Sequence, residues 1–329
     1  MKTLFSIIGL LLVLACVACS RPAAKAPAAN PAVATGSFKV AILLPRTVEA
    51  DGWTRSGYKG LLLMQRELGA GTAYTESVPE ADFERLFRKY ASEGYDFVIG
   101  HGGQFVQAAE KVAVAFPRTS FAVTGVYGGN NSNLGALSMR EDEMGYLFGV
   151  IAAIKTKTRR VAWLGGAENP SNRPIGASFT RGAQAIDPSV EVRAEWVGGF
   201  TDAAKAQRLA QGLIDTGTDV ILVLAGVAGT QVHAQAQNAG ILTLGWIEDQ
   251  SSLAPKAVIT SNVEDIPQML LQGATLVKKG RWEGKQYRFG MAEGIQSLAP
   301  FHGLVTEEEE RRINSIRNDL LAGKIDASR

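Results

Sequence analysis

From Phe38 onward, short apolar runs alternate with longer amphipathic stretches. Phe38–Leu44 is almost continuously apolar and predicts a buried strand, and Thr54–Leu68 carries its apolar positions at helical spacing. The alternation continues with a strand over Ala73–Val78, a helix over Glu80–Glu93, a strand over Asp96–Gly100, a helix over Gln104–Phe116 and a strand over Ser120–Thr124. A helix over Glu141–Lys155 ends in the basic cluster Lys155, Lys157, Arg159 and Arg160, which suits the negative end of a helix dipole. The pattern then restarts, with strands at Arg160–Gly165, Asp219–Leu224 and Ile241–Gly245 and a helix over Ala228–Ala239. The acidic run Glu307–Glu310 opens a last helix. Alternation at this spacing predicts α/β lobes, each a parallel sheet covered by helices on both faces. Ligands bind such open sheets beyond the carboxyl ends of the strands. Here those ends carry glycines such as Gly100, Gly102, Gly103 and Gly226, which permit tight turns and close backbone approach.

The start of the chain has a different pattern. Leu4–Val17 is apolar apart from Ser6, follows Met1 and Lys2, and is shorter than the roughly 20 residues that span a bilayer. Residues 1–19 therefore read as a lipoprotein signal peptide with its anchor cysteine. Val13-Leu14-Ala15-Cys16 has small and aliphatic residues before a lipid-accepting Cys16, and Cys19, followed by Ser20, is the alternative. Residues 20–37 are Ala/Pro-rich and form a tether that cannot bury a core. The expected location is the outer face of a membrane, with lipid as the anchor.

Composition narrows the function. The 329 residues suffice for two lobes, and 46% hydrophobic with 20% charged residues is the balance of a globular protein. A net charge of +2 with mixed signs gives no reason to expect a nucleic-acid partner. No cysteine follows Cys19, so the lobes hold no disulfide and no Cys-based metal site. His101, His233 and His302 lie on three separate segments without metal-ligand spacing. His233 reads as a surface residue of its helix, His302 as part of a late loop, and His101, at a strand end, as a residue able to line a site. The chain has no nucleophile elbow, phosphate loop or dinucleotide fingerprint. No residue stands out as a nucleophile or base, so the reading is a binding protein without cofactor or metal, not an enzyme.

Several segments together resemble the basic membrane protein (BMP) family of ABC-transporter substrate-binding lipoproteins, whose best-known members are purine nucleoside receptors. They are Glu93–Gly100, Glu141–Thr158, Val161–Gly166, Phe179–Gly182, Val197–Lys205, Gly240–Ser251 and Leu298–Pro300. The resemblance implies a type I periplasmic-binding-protein fold of two doubly wound lobes joined by crossing segments. Carried over, lobe one takes residues 38–157 and 248–287, and lobe two takes 158–247 and 288–329. A small molecule would lie between the lobes of a monomer, and a separate ABC permease would be the membrane partner.

The resemblance also implies site residues. Trp53, after Asp51, matches an aromatic that packs on a base, and Phe200 matches a second aromatic from the opposite lobe. Gly226 matches a glycine-rich turn over the ligand, and His101 and Gln104 are polar occupants of another. Nucleoside-binding relatives hold ribose with an Asp and a Lys where this chain has Ile247 and Glu264. The expected ligand is therefore a purine base or a related flat heteroaromatic more than a nucleoside, stacked between Trp53 and Phe200 with its edge read by polar groups such as Asp51, His101, Gln104 and Glu264. An alternative is a sensor lipoprotein that uses the same fold to signal to a membrane partner.

Overall fold

The computed structural model describes residues 29–30 and 38–329. The expected signal segment, both cysteines and the tether lie outside the described residues, except Ala29–Asn30. No described helix is long and apolar enough to cross a membrane.

The first sheet contains β1 (Ala29–Asn30), β2 (Lys39–Leu43), β3 (Gly71–Thr75), β4 (Phe97–Gly100), β5 (Ser120–Thr124), β6 (Leu134–Met139) and, from late in the chain, β12 (Gln286–Phe289). Its order is β1-β3-β2-β4-β5-β6-β12, parallel throughout except at β1. The second sheet contains β7 (Arg160–Gly165), β8 (Glu191–Trp196), β9 (Val220–Leu224), β10 (Leu242–Gly245), β11 (Val258–Glu264) and β13 (Gln296–Leu298). Its order is β13-β11-β10-β9-β7-β8, with only β13 antiparallel. Both are doubly wound: the strand order reverses between β2 and β4 in one and between β7 and β9 in the other.

The two-residue period of a strand sends alternate side chains to opposite faces. Val40 and Ile42 join Leu61 and Met64 of α1 (Gly52–Leu68) and Met269 and Leu270 of α8 (Ile266–Lys278). Ala41 and Leu43 join Phe87 and Tyr90 of α2 (Phe83–Ser92) and Val112 of α3 (Val106–Ala113). The second sheet repeats this. Val161, Trp163 and Leu222 pack with α4 (Glu141–Lys155), α5 (Asn172–Ile186) and α9 (Glu307–Leu321). Ala162, Leu164 and Ile221 pack with α6 (Ala203–Asp215) and α7 (Thr230–Asn238).

Some expectations need correction. The strand expected at 73–78 runs Gly71–Thr75 and is followed by a bend at Ser77. The boundary expected at 157 does not hold, because Met144, Leu147, Phe148 and Ile151 of α4 enter the second lobe's core. Gly149 explains the fit: a Cβ there would strike the Phe179 carbonyl of α5, so its absence lets the two helices close. The boundary at 248 moves too, because β11 pairs with β10 in the second sheet. The chain therefore crosses between lobes at 139–141, 264–266 and 289–296. His233 is buried, not on the surface. Its Nδ1 meets Thr243 Oγ1 at 2.9 Å and its Nε2 meets Gln250 Oε1 at 3.1 Å.

Candidate functional site

Between the lobes lies a cleft of about 670 Å³, lined by the carboxyl ends of strands from both sheets. The segments after β2, β4 and β5 supply one wall, and those after β9 and β10 supply the other. This is where the sheet reversals leave a crevice. Of the residues expected from the sequence, Asp51, Trp53, Gln104, Phe200, Gly226, Ile247 and Glu264 line this cleft.

His101 does not line it. The side chain is fully buried, and its ring stacks on the indole of Trp53 with centroids 4.3 Å apart and an interplanar angle of 11°. His101 Nε2 lies 2.9 Å from the Trp53 carbonyl oxygen and Nδ1 lies 3.1 Å from Thr124 Oγ1. A carbonyl only accepts, so Nε2–H donates to it, and Nδ1 accepts from the threonine hydroxyl. Burial lowers the imidazole pKa to about 4, so the ring is neutral at pH 7. Gly57 makes room, because a Cβ there would approach the ring to 2.6 Å. His101 therefore backs one face of Trp53 and leaves the other for the cleft.

Asp51 is committed to local structure. Its Oδ1 accepts from Thr54 N at 2.6 Å, capping α1, and its Oδ2 lies 3.3 Å from Arg46 Nη1. The cap holds the first turn of α1, and with it Trp53, at the cleft wall. On the opposite wall Phe200 is 37% exposed. Its ring packs over Gly166 and Gly226, and Gly226 takes φ +56°. Any Cβ at Gly166 would enter that ring, so glycine lets the aromatic lie close to the strand ends.

Ile247 sits at φ +79°, a left-handed backbone that a β-branched residue adopts only at a cost of about 1–3 kcal/mol. The surrounding bonds enforce it. Gln250 Oε1 accepts from Trp246 N at 3.1 Å, Gln250 N donates to Ser261 Oγ at 3.0 Å, and Glu264 N donates to the Ile247 carbonyl at 3.0 Å. The Ile247 side chain packs against the cores of both lobes. Glu248, the next residue, also lines the cleft.

The floor carries two carboxyl groups where the chain crosses between lobes. Glu141 begins α4 and Glu264 ends β11, and both line the cleft. Gln296, paired with Glu264 in the β11–β13 ladder, donates from Nε2 to Glu141 Oε2 at 3.1 Å. Asn262 Nδ2 donates to Glu264 Oε1 at 2.9 Å. Burial is the largest cause raising the Glu141 carboxyl to about 7. Burial and then the nearby Glu141 push Glu264 well above the usual carboxylate range. Two desolvated carboxyls in one apolar cleft cannot both ionise readily, so the pair holds a proton near neutral pH. Sequence reasoning singled out Glu264 but missed Glu141, whose start-of-helix position reads as ordinary dipole compensation. Trp246 and Arg46 also line the cleft and were missed, although their neighbours Ile247 and Asp51 were singled out.

Among known proteins, the Bmp family model, described as ABC transporter substrate-binding protein PnrA-like, matches residues 38–325. A purine-binding protein of Brucella abortus is 30% identical over 274 residues, covering 80% of this chain and 77% of that protein. The transcriptional activator protein med of Bacillus subtilis is 26% identical over 276 residues, covering 84% and 86%. A transcriptional activator of the comK gene from Bacillus halodurans superposes with a TM-score of 0.76 at 23% identity, covering 88% of this chain and 99% of that one. An ABC transporter solute-binding protein from Aeropyrum pernix K1 gives 0.76 at 18% identity, covering 88% and 92%.

Proposed function

The chain belongs to the Bmp family of PnrA-like ABC transporter substrate-binding proteins, and from that premise we propose that its cleft binds a purine base or a closely related flat heteroaromatic for import. The observation that carries this reading is the pair of aromatics, Trp53 and Phe200, on opposite walls of one cavity. Two rings from separate lobes offer a planar ligand large apolar contact at small entropic cost. Closure of the lobes on such a ligand would be a population shift driven by contacts made only when both walls engage. The similarity to a purine-binding relative supports the same ligand class.

Ile247 argues against a sugar as the tightly held part. Its side chain offers no acceptor for a hydroxyl, and its backbone carbonyl already accepts from Glu264 N. A nucleoside would leave ribose hydroxyls facing an apolar residue, which lowers affinity relative to the base. The lipid anchor on Cys16, with Cys19 as alternative, belongs to the same proposal, as does an ABC permease partner. Mass spectrometry of the mature N-terminal peptide identifies the lipidated cysteine.

Titration calorimetry of the purified protein against adenine, hypoxanthine, guanine and their nucleosides tests the ligand. Heat with a base, accompanied by a change in tryptophan fluorescence, is the expected result. No heat with any of them, and unchanged fluorescence, would remove the ligand proposal.

A further inference from the structure

We infer that Glu141 and Glu264 on the cleft floor select a heterocycle whose bound edge presents two adjacent N–H donors, the cyclic guanidine edge of a 2-amino-4-oxopyrimidine ring such as that of guanine. The inference rests on the proposed function and deepens it by fixing which edge the cleft reads.

The charge balance of the cavity points this way. Among the described residues lining the cleft, the cations are Arg46 and Arg55, both in the first lobe at or just before the start of α1. Arg46 is held by Asp51. Among the described residues the side-chain donors to the floor carboxyls are neutral, Asn262 on Glu264 and Gln296 on Glu141, and Arg288 acts on Glu141 only through space. The neighbouring Asp142 adds negative charge, and its Arg288 partner, 2.8 Å away, is engaged by it. Glu264 is 6% exposed yet borders the cavity, so water does little to satisfy it. Each carboxylate oxygen has about two acceptor sites, and the neutral donors leave part of that capacity facing the cleft.

The ligand edge must therefore supply hydrogens. A guanine edge places N1–H and an N2–H side by side, the geometry that a carboxylate receives as two parallel charge-assisted bonds. Adenine offers its amino group beside a bare ring nitrogen whose lone pair would face the carboxylate. Hypoxanthine offers one N–H and no amino group. A partner left without its hydrogen bond in a desolvated site is discriminated against strongly. The shared proton fits the same chemistry, with one carboxyl neutral and the other charged toward the ligand. Glu264 ends β11 at a crossing, so a ligand gripping it would touch a segment that joins the lobes.

The test is binding of guanine, hypoxanthine and adenine to the full-length protein in detergent, followed by tryptophan fluorescence and calorimetry. Guanine is expected to bind at least about 10-fold more tightly than the other two. E264Q should lower guanine affinity by at least about 10-fold, and by more than it lowers hypoxanthine affinity, because hypoxanthine brings only one N–H to that edge. E141Q should act in the same direction, and thermal melts of both variants report whether the fold is kept. Equal affinity for the three bases, a preference for adenine, or guanine binding untouched in both variants would overturn the inference while leaving the proposed function standing. Binding of none of the three removes both.

Discussion

The imidazole of His101 lies flat against the indole of Trp53, 4.3 Å between centroids and 11° between planes, with its own hydrogen bond returned to the Trp53 carbonyl. One residue thus fixes both the ring and the backbone of the aromatic that lines the first lobe's wall. Because His101 is shielded from the cleft, its effect on a ligand passes through Trp53. His101→Ala should weaken purine binding by about 10-fold and shift the tryptophan emission of the unliganded protein. His101→Phe, which can stack but cannot bond, should recover part of the emission and less of the affinity. Fluorescence titration of both variants checks this, and wild-type affinity in His101→Ala would refute it.

Direct contact predicts larger losses. Trp53→Ala should reduce affinity for a purine base by about 10- to 100-fold, and Phe200→Ala by about 10-fold. Phe200 is exposed enough that its removal should leave the melting temperature within a few degrees of wild type. Calorimetry and thermal melts together separate lost binding from lost fold.

The floor carboxyls make stability depend on pH in an unusual direction. Glu141 is raised to about 7 from 4.5, so between those values the folded state binds more protons than the unfolded chain. Its contribution therefore improves as pH falls from 7 to 4.5 and is unfavourable above 7. Glu141→Gln removes the ionisation and should stabilise the protein by about 2–3 kcal/mol at pH 7.5, with the gain disappearing near pH 4.5. Urea melts across that range measure it. A gain that does not shrink toward acid would show that burial of Glu141 is not the cause.

Histidine burial has the opposite sign. His101 and His233 are both lowered to about 4 by burial, so between pH 6.5 and 4 the unfolded chain takes up protons that the native state refuses. Stability should fall over that interval by up to about 3 kcal/mol per histidine. In the wild type the floor carboxyls mask part of this fall, and the Glu141→Gln background should reveal a steeper slope. His233→Asn should flatten that slope, which denaturant melts at several pH values can read.

Helix contact in the second lobe gives a purely steric prediction. A methyl group at Gly149 would meet the Phe179 carbonyl and the backbone of Ala183. Rigid backbone cannot yield as a side-chain tip can, so Gly149→Ala should cost at least ~2 kcal/mol despite its better helix propensity. A melting temperature within error of wild type would contradict the observed approach of α4 to α5.

Much of this was legible along the chain. The alternation of short apolar runs and amphipathic stretches gave the parallel sheets, because a strand buried on both faces must be apolar throughout and a covering helix on one side only. The aromatic positions Trp53 and Phe200 came from the family resemblance, which matched Asp51-Gly52-Trp53 and Gly199-Phe200 to the aromatics that flank a base. His233 was misread because its helix, α7, has a weak apolar stripe, and only Thr243 and Gln250, brought in from β10 and the loop beyond, give its ring nitrogens partners. The lobe boundaries were misread for a related reason. Nothing in the spacing of Glu141–Lys155 or Val258–Glu264 states which of two similar cores will accept them. That choice rests on volume and register, on Gly149 meeting Phe179 and on β11 meeting β10.

The chain by itself determined the class of fold, since the alternation of strands and helices follows from residues near one another in sequence, and the family resemblance implied the aromatic of each wall. Only the tertiary structure decided the floor. Glu141 and Glu264 stand 123 positions apart, and either alone reads as an ordinary acidic residue at the edge of an element. Folding brings both to the crossings between lobes, where Glu264 is buried and Glu141 half-buried, and desolvation raises both carboxyls above their ordinary range.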